Sequence, residues 1–354
     1  MSEPTVYMWP KTNPHNKYTD LLARSLERRG LRVEHYAKGS QFKPRRGDIV
    51  HIHWPSYTYQ ASIFPLTVVK SLFFISLLYW YKFLGVRLFW TIHNIWPHKG
   101  KSRWDFFVRK RLLSLCDAAF VLSESSKREA AEVFGGPEDK IVVTPHGHYD
   151  DAYPSRGADI RARFGIPKDR FLYLFVGRIN RYKGVEQLVS AYRSLEPANA
   201  ANAALLIAGQ ADTGYDLGFI GADQAGDEAG AIKLHSSFVD DADLADYLLA
   251  ADAVVLPYRQ ITTSGSAILA LTFGKPVVAP RLGSLGEYVS DGCGVLYDPD
   301  DKDGLHKALR DVMNMDRLKT EQRIADKLGE LDWDRIADRM LAVYAGRIPQ
   351  EVNA

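Results

Sequence analysis

The sequence predicts an α/β protein that contains two parallel-sheet domains. Its length of 354 residues exceeds what one ordinary core holds and suits two domains. Short apolar runs, typical of buried strands, alternate with helical patterns in both halves of the chain. Such alternation indicates parallel sheets that helices cover on both faces.

The first predicted domain covers residues 1–155. A helix is predicted over 17–30, with Leu21, Leu22 and Leu26 on its inner face. Strands are predicted over residues 5–9, 31–36, 48–54, 87–93, 117–122 and 140–144.

The second predicted domain covers residues 168–330. A linker rich in Asp, Pro, Ser, Arg and Gly precedes it, and a final segment, 331–354, contains an amphipathic helix over 332–344. Strands are predicted over residues 171–176, 204–208, 232–236, 253–258, 276–280 and 294–297.

The distribution of charge along the chain indicates which kinds of partner to expect. Residues 1–150 contain 22 Lys and Arg against 13 Asp and Glu, whereas residues 151–354 contain 23 against 30. The basic half is expected to face an anionic surface or ligand, but no nucleic-acid motif accompanies it.

The two cysteines, Cys116 and Cys293, have no metal or redox spacing, and residues 1–6 do not resemble a signal peptide. We therefore expect a cytoplasmic protein without disulfides.

A basic loop follows the strand predicted over 171–176. Gly177 ends the strand, Arg178 and Lys183 follow, and Gly184 leads into a helical pattern. A helix N-terminus offers free N–H groups and about half a positive charge, so this loop predicts an anion site. Arg178 would grip a phosphate with a fork of donors, and Lys183 would add a point charge. The alternative is a surface loop with two solvated cations.

A second loop of small residues also precedes a helix. Ser264, Gly265 and Ser266 open the helical pattern that ends before Gly274. The free N–H groups of this helix would again suit a phosphate. The alternative is an ordinary helix that a serine caps.

Polar residues follow four predicted strands of the first domain. In open α/β sheets, ligands bind at the carboxyl ends of the strands. A single histidine there is more often structural than catalytic, but four polar strand ends favour a site. No HExxH motif or Cys/His cluster is present, so no metal is predicted. The polar strand-end residues are His51, His53, His93, Asn94, Ser123, Glu124, His146 and His148.

An apolar and aromatic segment covers residues 71–81, with Lys70 and Lys82 at its ends. Eleven residues are too few to span a bilayer, which needs about twenty. The segment is either a buried crossover helix or a helix that lies in the membrane interface. The nearby cations suit an anionic lipid surface, so we expect peripheral association with the inner face of the cell membrane. These cations are Lys99, Lys101, Arg103, Arg109, Lys110 and Arg111.

Four stretches taken together resemble the GT-B glycosyltransferases: FVGRINRYKGVEQLVSAY, LLIAGQ, SSFVDDADLADYLLAADAVVLPY and GSAILALTFGKPVVAPRLGSLGEYV. The resemblance covers nearly all of residues 1–346. It implies two Rossmann-like domains that face each other across a cleft containing the active site. In this family the residues matching Arg178 and Lys183 bind the donor diphosphate, and the turn matching Phe238-Val239 lies near the base. The resemblance also implies that the final helix crosses back onto the first domain. The residues expected to bind the donor are Arg178, Lys183, Phe238, Val239, Ser264, Gly265, Ser266 and Glu287.

The chain departs from the retaining members of this family. Those members carry two glutamates where this chain has Ile261 and Leu269, and a glycine pair where it has Asn13-Pro14-His15. The stretches DIVHIHWP, TIHNIWPH, PHGHY and TTSGSAILAL resemble the inverting β-mannosyltransferases of xanthan-type exopolysaccharide assembly. This resemblance implies GDP-mannose, rather than a UDP-sugar, as donor and a polyprenyl-diphosphate-linked saccharide or glycolipid as acceptor. No further cofactor is expected, and transfer is expected to be metal-independent.

Inverting transfer needs a general base for the acceptor hydroxyl. Glu124 is the predicted base, although an acidic residue in a first helical turn needs no catalytic role. His93 matches a family position that touches the donor sugar. The candidates on the acceptor side are His15, His53, Asn94, His146 and His148. A retaining GT-B transferase, a nucleotide-sugar epimerase and a non-catalytic sugar-nucleotide-binding subunit are the alternative functions.

Overall fold

The computed structural model describes residues 4–13, 16–36, 44–96, 102–135, 138–150, 152–221 and 232–347. The chain divides into two compact units, Met1–Gly147 with Leu331–Ala354, and His148–Glu330. Each unit contains one six-stranded parallel sheet, so the predicted α/β class is confirmed.

The sheet of the first unit has the strand order β2-β1-β3-β4-β5-β6. Its strands are β1 (Thr5–Trp9), β2 (Arg32–His35), β3 (Ile49–Ile52), β4 (Arg87–Ile92), β5 (Ala118–Val121) and β6 (Ile141–Val143). Its first helices are α1 (Tyr18–Arg28), α2 (Ser56–Tyr59), α3 (Phe64–Phe83), α4 (Arg103–Leu115) and α5 (Glu124–Phe134), and a 3₁₀ turn covers Glu138–Lys140.

The sheet of the second unit has the order β12-β11-β10-β7-β8-β9. Its strands are β7 (Phe171–Val176), β8 (Ala203–Ala208), β9 (Ile232–His235), β10 (Ala253–Val255), β11 (Val277–Pro280) and β12 (Gly294–Tyr297). Its helices are α6 (Ile160–Arg163), α7 (Val185–Arg193), α8 (Pro197–Ala201), α9 (Gly218–Gly221), α10 (Asp241–Ala250), α11 (Gly265–Thr272), α12 (Leu285–Tyr288), α13 (Gly304–Met313) and α14 (Arg317–Glu330), with a 3₁₀ turn at Arg181–Lys183.

The last helix, α15 (Trp333–Tyr344), belongs to the first unit. Asp332 caps it by accepting bonds from the backbone N–H groups of Asp334 and Arg335. Ser25 on α1 donates a hydrogen bond to the Trp333 carbonyl at 2.9 Å. The apolar face of α15 packs with α1 and one face of the sheet, whereas α3, α4 and α5 cover the other face.

Gly147 lies against the Trp333 ring. A Cβ atom at this position would lie 2.3 Å from Trp333 Cε2, and a real Cβ atom does not approach another atom so closely. We expect Gly147→Ala to lower the free energy of unfolding by about 1–3 kcal/mol, because the ring or the backbone must move. Urea unfolding measures this change. Gly329→Ala is the control, since nothing lies within 4 Å of a Cβ atom there and the residue is helical. Equal stability of both variants would contradict the steric argument.

Helix α3 is longer than the apolar segment that predicted it. It extends over 20 residues, with a proline in its first turn, and its length and composition would be sufficient to cross a membrane. The predicted apolar segment of eleven residues, too short to span a bilayer, is therefore wrong as a description of this helix. One face is buried in the unit, and the opposite face exposes large apolar side chains. These exposed side chains are Phe64, Leu66, Val69, Leu72, Phe73, Tyr79, Trp80 and Phe83.

Candidate functional site

The basic loop of the second unit lies at the carboxyl end of β7. Strand β8 pairs with one side of β7 and β10 with the other, so the strand order reverses between β7 and β10. In open parallel sheets this reversal is the usual ligand position. The loop predicted to bind an anion therefore lies at a favourable point of the sheet.

Arg178 and Lys183 are held differently within this loop. The Arg178 side chain is exposed, and its Nε donates to Asp212. An exposed pair of this kind contributes only about 0–1 kcal/mol, so a ligand phosphate can compete for the guanidinium. The Lys183 ammonium lies 3.8 Å from the centroid of the Tyr258 ring, which follows β10. This cation–π contact holds Lys183 next to β10 without neutralising it.

Gly184 brings the start of α7 close to the chain that follows β10. Its φ is +67°, and a Cβ atom there would lie 2.0 Å from the Pro257 carbonyl oxygen. Only glycine fits this close approach. The first free N–H groups of α7 are thus fixed beside the basic loop.

The other predicted donor-binding residues lie after strands β9, β10 and β11. Ser264 is buried, and its Oγ accepts a bond from the Ala267 N–H at 3.3 Å, so it caps α11 as the alternative interpretation expected. Gly265 and Ser266 form the first turn of α11, and Glu287 lies in α12. Phe238 is exposed and Val239 is half-buried in the loop that follows β9. Apart from Phe238 and Val239, the predicted donor-binding residues follow the neighbouring strands β7, β10 and β11. They therefore lie along one edge of the sheet.

The first unit has a buried histidine cluster at the ends of β3, β4 and β6. His51 Nε2 lies 2.7 Å from Thr91 Oγ1, and its Nδ1 lies 2.6 Å from the Tyr344 hydroxyl of α15. His53 Nδ1 lies 3.3 Å from His93 Nε2. His146 is buried beside them, in ring contact with Tyr18.

Burial makes these imidazoles neutral at physiological pH. Desolvation lowers the pKa of His51 to about 3 and that of His146 to about 4. The pKa values of His53 and His93 also lie well below 6.5, because burial and neighbouring histidines both disfavour the charged form. The cluster therefore offers hydrogen bonds and not positive charge.

A cavity of about 270 Å³ opens beside this cluster, at the carboxyl ends of β3 and β4. It includes three of the predicted residues, His53, His93 and Asn94. The Trp54 ring stacks on His93 with 4.5 Å between ring centroids. The lining consists of His53, Trp54, Pro55, Ser56, Tyr57, Gln60, Trp90, His93, Asn94, Trp96 and Arg109.

Arg109 corrects one sequence prediction. The sequence predicts Arg109 to be one of the cations that suit a lipid surface, but it is only 4% exposed and lines the cavity. Its Nη1 donates to the carbonyls of Asn94 and Ile95 at 2.7 and 3.0 Å. The signal for burial was its spacing: Arg109 lies between Val108 and Leu112 on the buried face of α4.

Three other predicted residues, Glu124, His146 and His148, do not line the cavity. Glu124 begins α5, is exposed, and directly follows the cap residue Ser123. An acidic residue in the first turn of a helix needs no catalytic role. The catalytic role of Glu124 therefore remains a prediction. His148 begins the second unit and lies 3.3 Å from the Asp150 N–H. His15 lies outside the described residues.

Two protein-family models match the chain. The model described as glycosyl transferases group 1 matches residues 158–328, and the model described as glycosyltransferase family 4 matches residues 15–151. Together they cover both units, and the chain belongs to the GT-B glycosyltransferases. The predicted family and the predicted transferase activity are thereby confirmed.

Curated proteins and solved structures are also similar to the chain. A GDP-mannose:glycolipid 4-beta-D-mannosyltransferase of Xanthomonas campestris pv. campestris is 26% identical over 322 residues, which cover 87% of this chain and 82% of the relative. Among solved structures, the sucrose-phosphate synthase of Thermosynechococcus elongatus aligns with a TM-score of 0.69 at 19% identity, covering 97% and 99% of the two chains. HepE of Anabaena, solved in complex with UDP, aligns with a TM-score of 0.70 at 15% identity, covering 97% and 100%. These structures share the fold.

Proposed function

We propose that this glycosyltransferase moves mannose from GDP-mannose to a glycolipid acceptor, with inversion at the anomeric carbon. The observation that carries the proposal is the similarity along most of both chains to the Xanthomonas mannosyltransferase. The absence of both family glutamates, at Ile261 and Leu269, supports inversion. The leaving group would be a nucleoside diphosphate.

The residues of the second unit would hold the donor. Arg178, Lys183 and the start of α7 would bind the diphosphate and stabilise the charge that develops as it leaves. The loop of Phe238 and Val239 would lie near the base. Ser264, Gly265, Ser266 and Glu287 would complete the donor site. No metal or further cofactor has a part in this mechanism.

The first unit would hold the acceptor. The cavity beside His53 and Asn94 would receive its saccharide, His93 would touch the donor sugar, and Glu124 would take the proton of the attacking hydroxyl. In this mechanism the acceptor oxygen forms the new glycosidic bond while the bond to the diphosphate breaks.

The decisive experiment compares donors and then determines the linkage. The protein is screened for thermal stabilisation by GDP-mannose, UDP-glucose and UDP-glucuronate, and the best donor is incubated with membrane lipid extract. We expect GDP-mannose to stabilise most and the α-linked donor to give a β-linked product by NMR. Stabilisation by UDP-sugars alone would overturn the donor assignment. Release or change of the sugar without acceptor would indicate the epimerase instead.

The exposed face of α3 supports a peripheral position on the cytoplasmic membrane surface. Phe73 and Trp80 are more than half exposed on it, and Arg111 of α4 lies 5.0 Å from the Tyr79 ring. Exposed Lys70, Arg103 and Lys110 lie on the same two helices. Aromatic residues beside cations suit the headgroup region of anionic lipids, where each cation contributes about 1 kcal/mol.

We expect the double variant Phe73→Ser/Trp80→Ser to bind anionic liposomes at least about tenfold more weakly than the wild type. Burial of one large apolar side chain contributes roughly 1.5–3 kcal/mol, and about 1.4 kcal/mol is tenfold in affinity. Sedimentation with phosphatidylglycerol vesicles measures the loss. Leu318→Ser is the control, because Leu318 is even more exposed but lies on α14 of the second unit. Unchanged binding of the double variant would exclude this face as the lipid contact.

A further inference from the structure

The segment 257–259, which follows β10, holds the backbone of the basic loop at two points. A Cβ atom on Gly184 would lie 2.0 Å from the Pro257 carbonyl oxygen, so only glycine permits this approach. The Arg259 N–H donates to the Tyr182 carbonyl at 2.8 Å. Both contacts involve backbone atoms, and they therefore fix the path of the loop and the points from which its side chains project.

Between these two points the Tyr258 ring holds the Lys183 side chain. The ammonium lies 3.8 Å from the ring centroid, and Tyr258 is only 2% exposed, so the core of the second unit fixes the ring. Among the residues that the structure describes, no carboxylate forms an ion pair with Lys183. An aromatic face attracts a cation but is a weak hydrogen-bond acceptor, so the N–H donors of the ammonium remain available to a ligand.

Arg178, the other predicted phosphate-binding cation of the loop, is held in a different way. Its side chain is exposed, and its Nε donates to Asp212. A phosphate that binds Arg178 must compete with this carboxylate, whereas the Tyr258 ring does not compete for the hydrogen bonds of Lys183. The ring also restricts a long side chain that would otherwise lose rotamer freedom when a ligand binds. Lys183 is therefore the pre-organised cation of the loop.

The Arg259 side chain lies beside a negative charge at the start of α7. Glu186 is in the first turn of this helix, where its carboxylate would repel a phosphate at the same helix start. Arg259 Nη2 lies 3.6 Å from Glu186 Oε2, and this oxygen accepts no hydrogen bond from the described residues. An opposite charge at this distance offsets the repulsion between the carboxylate and a bound anion.

We propose that the segment 257–259 positions the basic loop for a nucleoside diphosphate. Tyr258 holds Lys183 where the ammonium meets the diphosphate, and Arg259 offsets the charge of Glu186 beside it. The inference rests on the proposed function, because it takes the basic loop as the diphosphate site. Tyr258 and Arg259 are positioning residues: neither needs to touch the ligand, and each acts through a residue of the loop or of α7.

The test is a double-mutant cycle between Tyr258 and Lys183, measured as nucleotide affinity. GDP and UDP are titrated into the full chain by calorimetry, and the nucleotide that binds more tightly is used throughout. We expect Y258L to weaken binding about tenfold and Y258F, which keeps the ring, to bind within about twofold of the wild type. In the K183M background Y258L should cause no further loss, because the side chain through which the ring acts is gone.

A matched control separates positioning from stability. Tyr192 is a similarly buried tyrosine of the second unit, and its ring contacts that of Tyr173. Y192L should lower the melting temperature and leave nucleotide affinity unchanged. The same loss from Y258L with and without Lys183 would mean that the ring only supports the fold, and would overturn the proposal. A loss in Y258F equal to that in Y258L would assign the effect to the hydroxyl and would also overturn it.

Charge rescue tests the part of the proposal that concerns Arg259. R259Q should weaken nucleotide binding about threefold at low salt, because the Glu186 carboxylate then faces the diphosphate uncompensated. E186Q/R259Q should restore the affinity, since the double variant also removes that carboxylate. A double variant that binds as weakly as R259Q would overturn the electrostatic role of Arg259.

The inference and the proposed function fail separately. Tighter binding of UDP than of GDP would overturn the donor assignment and leave the cycle with Lys183 intact. Additive losses in a chain that binds GDP and transfers mannose would preserve the proposed function and remove the positioning role. Binding of neither nucleotide by the wild type would remove the diphosphate site, and both proposals with it.

Discussion

Arg178→Ala and Lys183→Ala are each expected to reduce turnover at least about a hundredfold while the fold survives. Both residues lie at the carboxyl end of β7, where the strand order reverses, and neither is buried in the core. Groups that stabilise charge in a transition state typically contribute about 3–4 kcal/mol, and each ~1.4 kcal/mol is tenfold in rate. Steady-state kinetics with saturating donor, together with thermal unfolding, measure both quantities.

The matched control is Lys168→Ala. Lys168 is an exposed cation of the same unit, but it precedes β7 and lies at the opposite end of that strand. Its loss should leave turnover within about twofold, as expected for a surface substitution with little effect on stability. Near-normal turnover in both loop variants would remove their role in phosphate binding and favour the interpretation as solvated cations.

Glu124→Gln is expected to lower transfer by about 10²–10⁴ and to leave donor affinity unchanged. The amide keeps the shape of the side chain but cannot accept the proton of the acceptor hydroxyl. Glu132→Gln is the control, because Glu132 is exposed on the same helix, two turns later. Initial rates and donor titrations separate the chemical step from binding.

The competing role of Glu124 predicts a different result. An acidic residue in a first helical turn contributes about 0.3–1 kcal/mol to stability through the helix dipole. If that is its only role, Glu124→Gln will lower the melting temperature slightly and transfer will be unaffected. An α-linked product in the wild type would remove the need for a base altogether.

The strands were predictable because each is a short apolar run between polar residues or glycine. Predicted and observed bounds coincide for β1, β7 and β12, and the other strands differ by a few residues at their ends. In a parallel sheet both faces are buried, so the apolar run itself marks the strand. Helix α3 was less predictable, because it is apolar on its buried and exposed faces alike and Lys70, which bounds the apolar run 71–81, lies inside the helix.

The candidate site was predictable only in part. Strand-end position was enough to select His53, His93 and Asn94, since the topology brings the ends of β3 and β4 together. The spacing of Arg109 with Val108 and Leu112 marks it as buried, but its place in the cavity lining depends on how α4 packs in the folded unit. The tryptophans of the cavity are spread over β4 and two loops, and only the folded sheet brings them together.

The position of α15 has a consequence for how the chain is made. Most of the first unit is translated before the second unit, yet Ile336, Met340 and Tyr344 of α15 pack into one of its core clusters. All of His148–Glu330 must be translated before these side chains exist. At roughly 5–20 residues per second this takes on the order of tens of seconds. Throughout that interval Leu22 and Phe120, which belong to the same core cluster as α15, are not covered by this helix. The second unit can therefore complete its core before the first.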